Sequence, residues 1–161
     1  MLIQLLTHLK PKIFTLENED LTQLISSIVL LKEVCDPKTL KAIENLTLRR
    51  LHSLNNDQFV RILKSYSLID PSRVPKSIAF VKTFIQLCET KIDEFHVDEL
   101  SILVSALIRL NNQGLQLDNF SSSVNTMVEA IQFQLTEMES TNLKGNVAAE
   151  LYSTLQTKKI K

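Results

Sequence analysis

The chain has 161 residues, of which 44% are hydrophobic and 22% charged, so it is able to bury a substantial core and is not a disordered polyelectrolyte. Its 18 lysines and arginines balance its 18 aspartates and glutamates, which excludes a strong overall attraction to nucleic-acid phosphates. No purely apolar run is longer than that at residues 28–31, which is far too short for a membrane span.

Apolar residues recur at spacings of three and four, and only two glycines and four prolines interrupt the chain, which predicts an all-α fold. The first stretch, residues 1–16, contains no acidic residue and is in that respect similar to an organellar presequence. It lacks the arginines and serines typical of such segments. We therefore expect it to form a structural helix, the second half of an incomplete helical hairpin.

Three stretches, at 17–33, 55–70 and 96–112, then repeat one pattern that begins at Leu21, at Phe59 and at Leu100, a period of about 40 residues. Each predicts a helix with apolar residues at offsets 0, +3, +4, +7 and +10 along one face. Offset +6 holds a small residue, which we expect to let a neighbouring helix approach closely. The apolar stripes are Leu21, Leu24, Ile25, Ile28 and Leu31; Phe59, Ile62, Leu63, Tyr66 and Ile69; Leu100, Leu103, Val104, Leu107 and Leu110; the small residues are Ser27, Ser65 and Ala106.

Acidic residues before each of these helices, such as Asp57, predict N-terminal caps, and Asp36-Pro37, Asp70-Pro71 and residues 111–114 predict the helix ends. A second helix is predicted after each end. Its apolar stripes are Leu40, Ile43, Leu51 and Leu54; Ile78, Val81, Ile85, Cys88 and Ile92; Phe120, Val124, Met127, Ile131 and Leu135.

These patterns predict a single helical-repeat domain over residues 1–161. The expected units are a half-unit at 1–16, repeats at 17–55, 56–95 and 96–139, and a terminal half-unit at 140–161. Stacked hairpins of this kind bury each apolar stripe against the next repeat and build a short α-solenoid. The alternative is one compact bundle of seven or eight helices that contains similar hairpins.

The leading helices, over 21–31, 59–69 and 100–110, resemble the heptatricopeptide and octotricopeptide class of repeats. This resemblance implies a kinship with FAST-kinase-like and RAP-domain proteins, most of which act on RNA in mitochondria and plastids. No RAP-domain pattern follows the repeats here, so the resemblance does not imply nuclease activity. It implies a repeat module in an organellar ribonucleoprotein and a mitochondrial location, with the cytoplasm as the alternative.

The sequence contains no pattern of residues that is typical of a catalytic site. Two isolated glycines cannot form a phosphate-binding loop, and no two histidines have the spacing of a helical metal site. Cys35 and Cys88 are far apart and indicate neither a zinc site nor a disulfide framework. Cys88 lies on an apolar stripe, and His96 precedes a helix together with Asp98 and Glu99, as a capping segment does. We expect no enzyme, cofactor, metal or small-molecule substrate.

Basic residues are the remaining candidates for a site. Arg49, Arg50, Arg61 and Lys64 lie near the junction of the first two hairpins, and Lys158 and Lys159 belong to a basic tail. Two interpretations of these basic residues are open. They form either a solvated polar face or a surface that contacts RNA phosphates. Contact with bases is not expected, because no aromatic residues alternate with the basic ones to stack on bases.

We expect a non-catalytic interaction subunit bound to other proteins of a large assembly, most simply a mitochondrial ribosome or related ribonucleoprotein. The alternatives are a sequence-tolerant RNA-binding module and a scaffold subunit of a respiratory or ATP-synthase complex.

Overall fold

A computed structural model of the protein describes residues 15–30, 37–72 and 76–140. Within these ranges the chain is helical and has no strand, which confirms the all-α prediction. The helices are α1 (Asn18–Leu30), α2 (Pro37–Arg50), α3 (Asn56–Leu68), α4 (Ile78–Thr90), α5 (Val97–Asn112) and α6 (Phe120–Ser140). Short 3₁₀-helices, Leu51–Ser53 and Ile92–Glu94, follow α2 and α4.

Several predicted features fall outside these ranges. The predicted half-units at 1–16 and 140–161 lie almost wholly outside the described residues. Leu31, Cys35 and Asp36 also lie outside them. None of the described helices combines the length and the apolar character needed to cross a lipid bilayer.

The helices form two rows. In the first row, α3 packs against α1 on one side and against α5 on the other. In the second row, α2 packs against α4, and α4 packs against α6. Extensive packing of α5 against α6 and a smaller contact between α1 and α2 join the rows. The core lies between them.

The predicted apolar stripes of the leading helices form most of this core. Of the described stripe positions, Leu24 is half-buried and all the others are buried. Leu21, Ile62 and Leu100 have no exposed surface at all. The spacing of three and four therefore identified the core-facing side of α1, α3 and α5 correctly.

The predicted stripe of α4 needs a correction. Ile78 is 42% exposed, whereas Phe80 and Phe84, which the predicted stripe omitted, are buried. The Phe84 ring centroid lies 4.6 Å from that of Phe59 on α3, and the Phe80 ring centroid lies 4.6 Å from that of Tyr66. Because α4 packs against the first row as well as against its own row, its buried face is wider than one stripe.

The predicted small contact residue of α1 is also wrong. Ser27 is exposed, and the hydroxyl that meets α3 is that of Ser26, whose Oγ lies 3.0 Å from Ser65 Oγ. Ser26 lies one turn after the fully buried Thr22, so Ser26, rather than Ser27, is on the side of α1 that faces α3. At Ser65 and Ala106, which are both buried, the structure matches the expected small contact residues.

The helix starts are capped, but only partly by the predicted acids. Glu99 Oε2 accepts a hydrogen bond from the His96 backbone N–H at 2.9 Å, as predicted for α5. At α3 the cap is Asn55, whose side chain accepts from the Gln58 N–H at 2.8 Å. Asp57 instead pairs with Arg61 on the next turn.

A buried polar network joins three helices. Tyr66 on α3 donates its hydroxyl proton to Glu44 Oε1 on α2 at 2.5 Å and accepts from the Ser77 N–H before α4 at 2.8 Å. Glu44 is 3% exposed, and its other oxygen lies 3.3 Å from Lys41 Nζ. Burial and the neighbouring Glu44 carboxylate raise the pKa of Tyr66, so its hydroxyl stays protonated and keeps donating.

We expect Phe84→Ala to destabilise the protein by about 3–5 kcal/mol, because it removes a fully buried ring and leaves a cavity. Urea unfolding followed by circular dichroism measures this. Phe133→Ala is the matched control, since that ring is 65% exposed and its loss should change stability by less than about 0.5 kcal/mol. Equal losses of stability in the two variants would contradict the burial of Phe84 in the core.

We expect Tyr66→Phe to cost about 1–3 kcal/mol, because it leaves the buried Glu44 carboxylate and the Ser77 N–H without their shared partner. The same unfolding experiment measures the loss. Thr126→Val removes an exposed hydroxyl that bonds only to the preceding turn, and it should leave the stability almost unchanged. A Tyr66→Phe variant as stable as the wild type would show that the network contributes nothing.

Candidate interaction groove between α3 and α5

Local sequence signals fix the two helices that form the candidate site. The Asn55 cap begins α3, and the Glu99 cap begins α5. At the other end of α5, Gly114 adopts the left-handed conformation with φ of 88°, and the Leu115 N–H bonds back to the Leu110 carbonyl at 3.3 Å. Glycine suits this position because it has no Cβ to clash. These caps fix where α3 and α5 begin and where α5 ends.

The structure separates the four predicted basic residues of this region. Arg49 is exposed at the end of α2, and Arg50 donates a hydrogen bond to the Leu16 carbonyl. Arg61 pairs with Glu19 and Asp57, each at 3.2 Å. Lys64 is exposed on α3. Two of the four predicted cations therefore already have partners within the chain, and Lys158 and Lys159 lie outside the described residues.

Arg61, Glu19 and Asp57 form a small cluster of ion pairs on the surface. Hydrogen bonds from Gln23 and Gln58, followed by that from Arg61, lower the pKa of Glu19. The hydrogen bond to Asp57 is the largest influence raising the pKa of Arg61, and Glu19 adds to it. Both effects favour the charged forms, so this part of the surface carries ion pairs rather than an open positive charge.

Lys64 instead belongs to a shallow groove between α3 and α5, which we call the α3–α5 groove. It has a volume of about 200 Å³. Its lining carries two cations and three serines over a small apolar floor, and it contains no carboxylate. The lining residues are Lys64, Ser67, Ser101, Ile102, Ser105, Ala106 and Arg109.

The two cations of the groove are not neutralised. Among the described residues, neither Lys64 nor Arg109 forms an ion pair with a carboxylate. Lys76 lies near the groove and donates a hydrogen bond to the Ser67 carbonyl at 3.1 Å. The positive charge of Arg109 repels that of Lys76. Burial, followed by the charge of Arg109, lowers the pKa of Lys76 to about 8. Asp70 acts on Lys76 in the opposite sense, but it is not part of the groove lining, so the groove itself holds two cations and no carboxylate.

Only one of the three serine hydroxyls is available as a donor. Ser67 Oγ donates to the Lys64 carbonyl and Ser101 Oγ to the Val97 carbonyl, each at 2.7 Å. A hydroxyl has a single proton, so these two serines have none left to donate. Ser105 is exposed and lies one turn before Arg109 on the same face of α5. Ser105, Lys64 and Arg109 are thus the donors that a bound anion would meet.

A second cavity, of about 410 Å³, lies between α4 and α6 and has the opposite character. It contains Glu89 and Asp118 as well as Lys82. Lys82 forms an ion pair with Asp118, whose pKa is lowered by this contact. Its single cation is therefore paired and outnumbered by carboxylates, so this cavity is not suited to an anion.

The described residues give no indication of a catalytic centre. Burial raises the pKa of the Cys88 thiol to about 12, so at neutral pH it carries its proton and is not a nucleophile. His96 donates its backbone N–H to Glu99, which accounts for these two residues as a helix cap. Over residues 15–30, 37–72 and 76–140, no group of three or more acidic, histidine or cysteine side chains is placed to hold a metal.

Arg109 and Ser105 were not among the residues predicted from sequence. One signal for them exists, because Ser101, Ser105 and Arg109 recur every four residues on the polar face of α5. Their proximity to Lys64 has no such signal, since it follows from the packing of α3 against α5. Comparison with family models, with curated proteins and with solved structures gave no match for this chain.

The lowered pKa of Lys76 predicts how the stability of the protein depends on pH. The folded protein holds this amine at a pKa of about 8, against an ordinary value of 10.5, so the unfolded chain binds more protons between these values. The contribution of Lys76 to stability should therefore rise as the pH increases from about 8 to 10.5.

The test compares the free energy of unfolding of the wild type with that of Lys76→Met across this range. The difference, wild type minus variant, should increase with pH, and titrations common to both proteins, such as that of Cys88, cancel in it. A difference that is flat between pH 8 and 10.5 would contradict the lowered pKa.

Proposed function

We propose that the protein is a non-catalytic interaction module, a short α-solenoid of helical hairpins that serves as a subunit of a larger assembly. The observation that carries the proposal is the order of its helices in two rows, with α1, α3 and α5 in one and α2, α4 and α6 in the other. Such an order is typical of stacked hairpins, in which each unit contacts only its neighbours.

A recurring hydrogen bond supports the repeat interpretation. Asn18, the first residue of α1, donates from Nδ2 to the carbonyl of Ser53 at 3.0 Å, and Ser53 ends the 3₁₀-helix after α2. Asn56, the first residue of α3, donates in the same way to the carbonyl of Glu94 at 2.7 Å, and Glu94 ends the 3₁₀-helix after α4. The two bonds occupy equivalent places in the units at 17–55 and 56–95.

The spacing of the helix starts supports it as well. The interval from the start of α2 at Pro37 to the start of α3 at Asn56 equals the interval from the start of α4 at Ile78 to the start of α5 at Val97. The starts of α1 and α2 are separated by this same interval, whereas those of α3 and α4 lie further apart. The whole difference in length between the first two units thus lies in the connection between α3 and α4, which contains Pro71.

Two exposed apolar side chains on α6 support a protein partner. Phe133 is 65% exposed and Met138 is 39% exposed, although both are large apolar side chains. Apolar surface of this kind is favoured where another protein covers it. The resemblance of the leading helices to heptatricopeptide and octotricopeptide repeats further favours a mitochondrial ribonucleoprotein, including the mitochondrial ribosome, as the assembly.

The test is purification of the tagged full-length protein from its own cells at mild salt, from the mitochondrial fraction, with half of the sample treated with RNase. In the untreated half we expect the tagged chain to migrate with one reproducible set of proteins as a large complex on a gradient, and after RNase treatment we expect its direct protein partners to remain bound. A tagged chain that migrates alone at the size of a monomer would contradict the proposal.

Two variants sharpen this test. Phe133→Ala should reduce the recovered partners severalfold, because it removes the most exposed large apolar side chain of α6. Gln132→Ala, a neighbouring exposed position, is the control and should leave recovery unchanged. If partners survive only in the half without RNase, the chain is an RNA-dependent component and the protein-contact proposal is wrong.

A further inference from the structure

The α3–α5 groove combines positive charge with a concave shape. It brings a lysine from α3 and an arginine from α5 to one concavity of about 200 Å³ that has no carboxylate in its lining. The remaining cation of these two helices, Arg61, is paired with Glu19 and Asp57. The positive charge of the two helices that no described carboxylate pairs with is thus located in this one groove.

We propose that the α3–α5 groove binds the phosphate group of a phosphorylated serine or threonine on a partner protein, with Lys64, Arg109 and Ser105 as its donors. This inference rests on the proposed function, because it specifies one chemical contact between the module and its assembly. The guanidinium of Arg109 suits two phosphate oxygens at once, and Lys64 adds a second positive charge from the opposite wall.

The charge of the site favours a phosphate over a carboxylate. A phosphorylated side chain carries about −1.5 to −2 charges at neutral pH and three acceptor oxygens. Two cations and one free hydroxyl match these numbers, whereas the single negative charge of a carboxylate would balance only one of the two cations. Ile102 and Ala106 supply a small apolar floor beside the donors, which suits the Cβ of a phosphoserine or the methyl group of a phosphothreonine.

A nucleic-acid backbone fits the groove less well. Such a chain presents successive phosphates, and each added contact requires a further cation along its path. Here the neighbouring Arg61 is engaged by carboxylates, and Arg50 by a backbone carbonyl. The groove lining also contains no aromatic ring on which a base would stack. The site is therefore built for one phosphate rather than for a row of them.

The experiment is an NMR titration of the full-length ¹⁵N-labelled chain with a short phosphoserine peptide. The comparison probes are the same peptide unphosphorylated, the same peptide with glutamate in place of phosphoserine, inorganic phosphate, and a single-stranded RNA oligonucleotide. We expect the phosphopeptide to shift the backbone amides of Ser105 and Arg109 and to bind more tightly than every other probe, with an affinity that falls as salt rises.

Substitutions assign the contacts. Arg109→Gln and Lys64→Gln should each weaken phosphopeptide binding by about tenfold or more, because each removes one charge-assisted contact. Arg49→Gln is the matched control, since Arg49 is an exposed arginine outside the groove, and its affinity should equal that of the wild type. Circular dichroism of each variant checks that the fold is retained.

Each contrary outcome overturns the proposal. No shift with any probe removes the site altogether. Equal affinity for inorganic phosphate and phosphopeptide would mean that the groove holds a free anion, and tighter binding of RNA that is lost in the same variants would mean a nucleic-acid contact. If the phosphopeptide fails while protein partners still co-purify, only the groove assignment is wrong; if it binds while the tagged chain purifies alone, the proposed assembly is wrong.

Discussion

The packing of the described helices depends on α3, which is buried on all but one of its sides. This helix lies between α1 and α5, and its inner side contacts α4 through the Phe59 and Phe84 rings and α2 through the hydrogen bond from Tyr66 to Glu44. A helix enclosed in this way needs a small residue where a neighbour comes closest, and Ser65, in contact with Ser26, fills this role. Only the exposed strip that contains Lys64 remains for contact with another molecule.

Polar contacts, rather than apolar ones, set how the helices are aligned along their axes. Leucine and isoleucine side chains tolerate small displacements at low cost, whereas the bonds between Ser26 and Ser65 and between Tyr66 and Glu44 are satisfied at one alignment only. Burial makes this restriction strong, because Glu44 has almost no access to water as an alternative partner. The groove lies where α3, held in this way, packs against α5, and it has Lys64 and Arg109 in its lining.

The fold was predictable where one helix face determines burial. Leu21, Phe59 and Leu100 were identified from spacing alone, because the buried face of a leading helix repeats with the helical period. Phe80 and Phe84 were missed because α4 contacts both rows, and Ser26 was missed because the rotation of α1 depends on Thr22 as well as on its leucines. Of the site, Lys64 was predicted and Arg109 was not. The potential of the groove depends on which cations find partners after packing, and charge composition does not contain that information.

The two asparagine bonds have a consequence for how such a chain is able to change during evolution. Each bond closes a segment of the chain, because it joins the first residue of one helix to the end of the 3₁₀-helix that follows the next helix. The connection between α3 and α4 is longer than that between α1 and α2, yet both segments close with the same bond, so a mutation that lengthens such a connection leaves the closing contact unchanged.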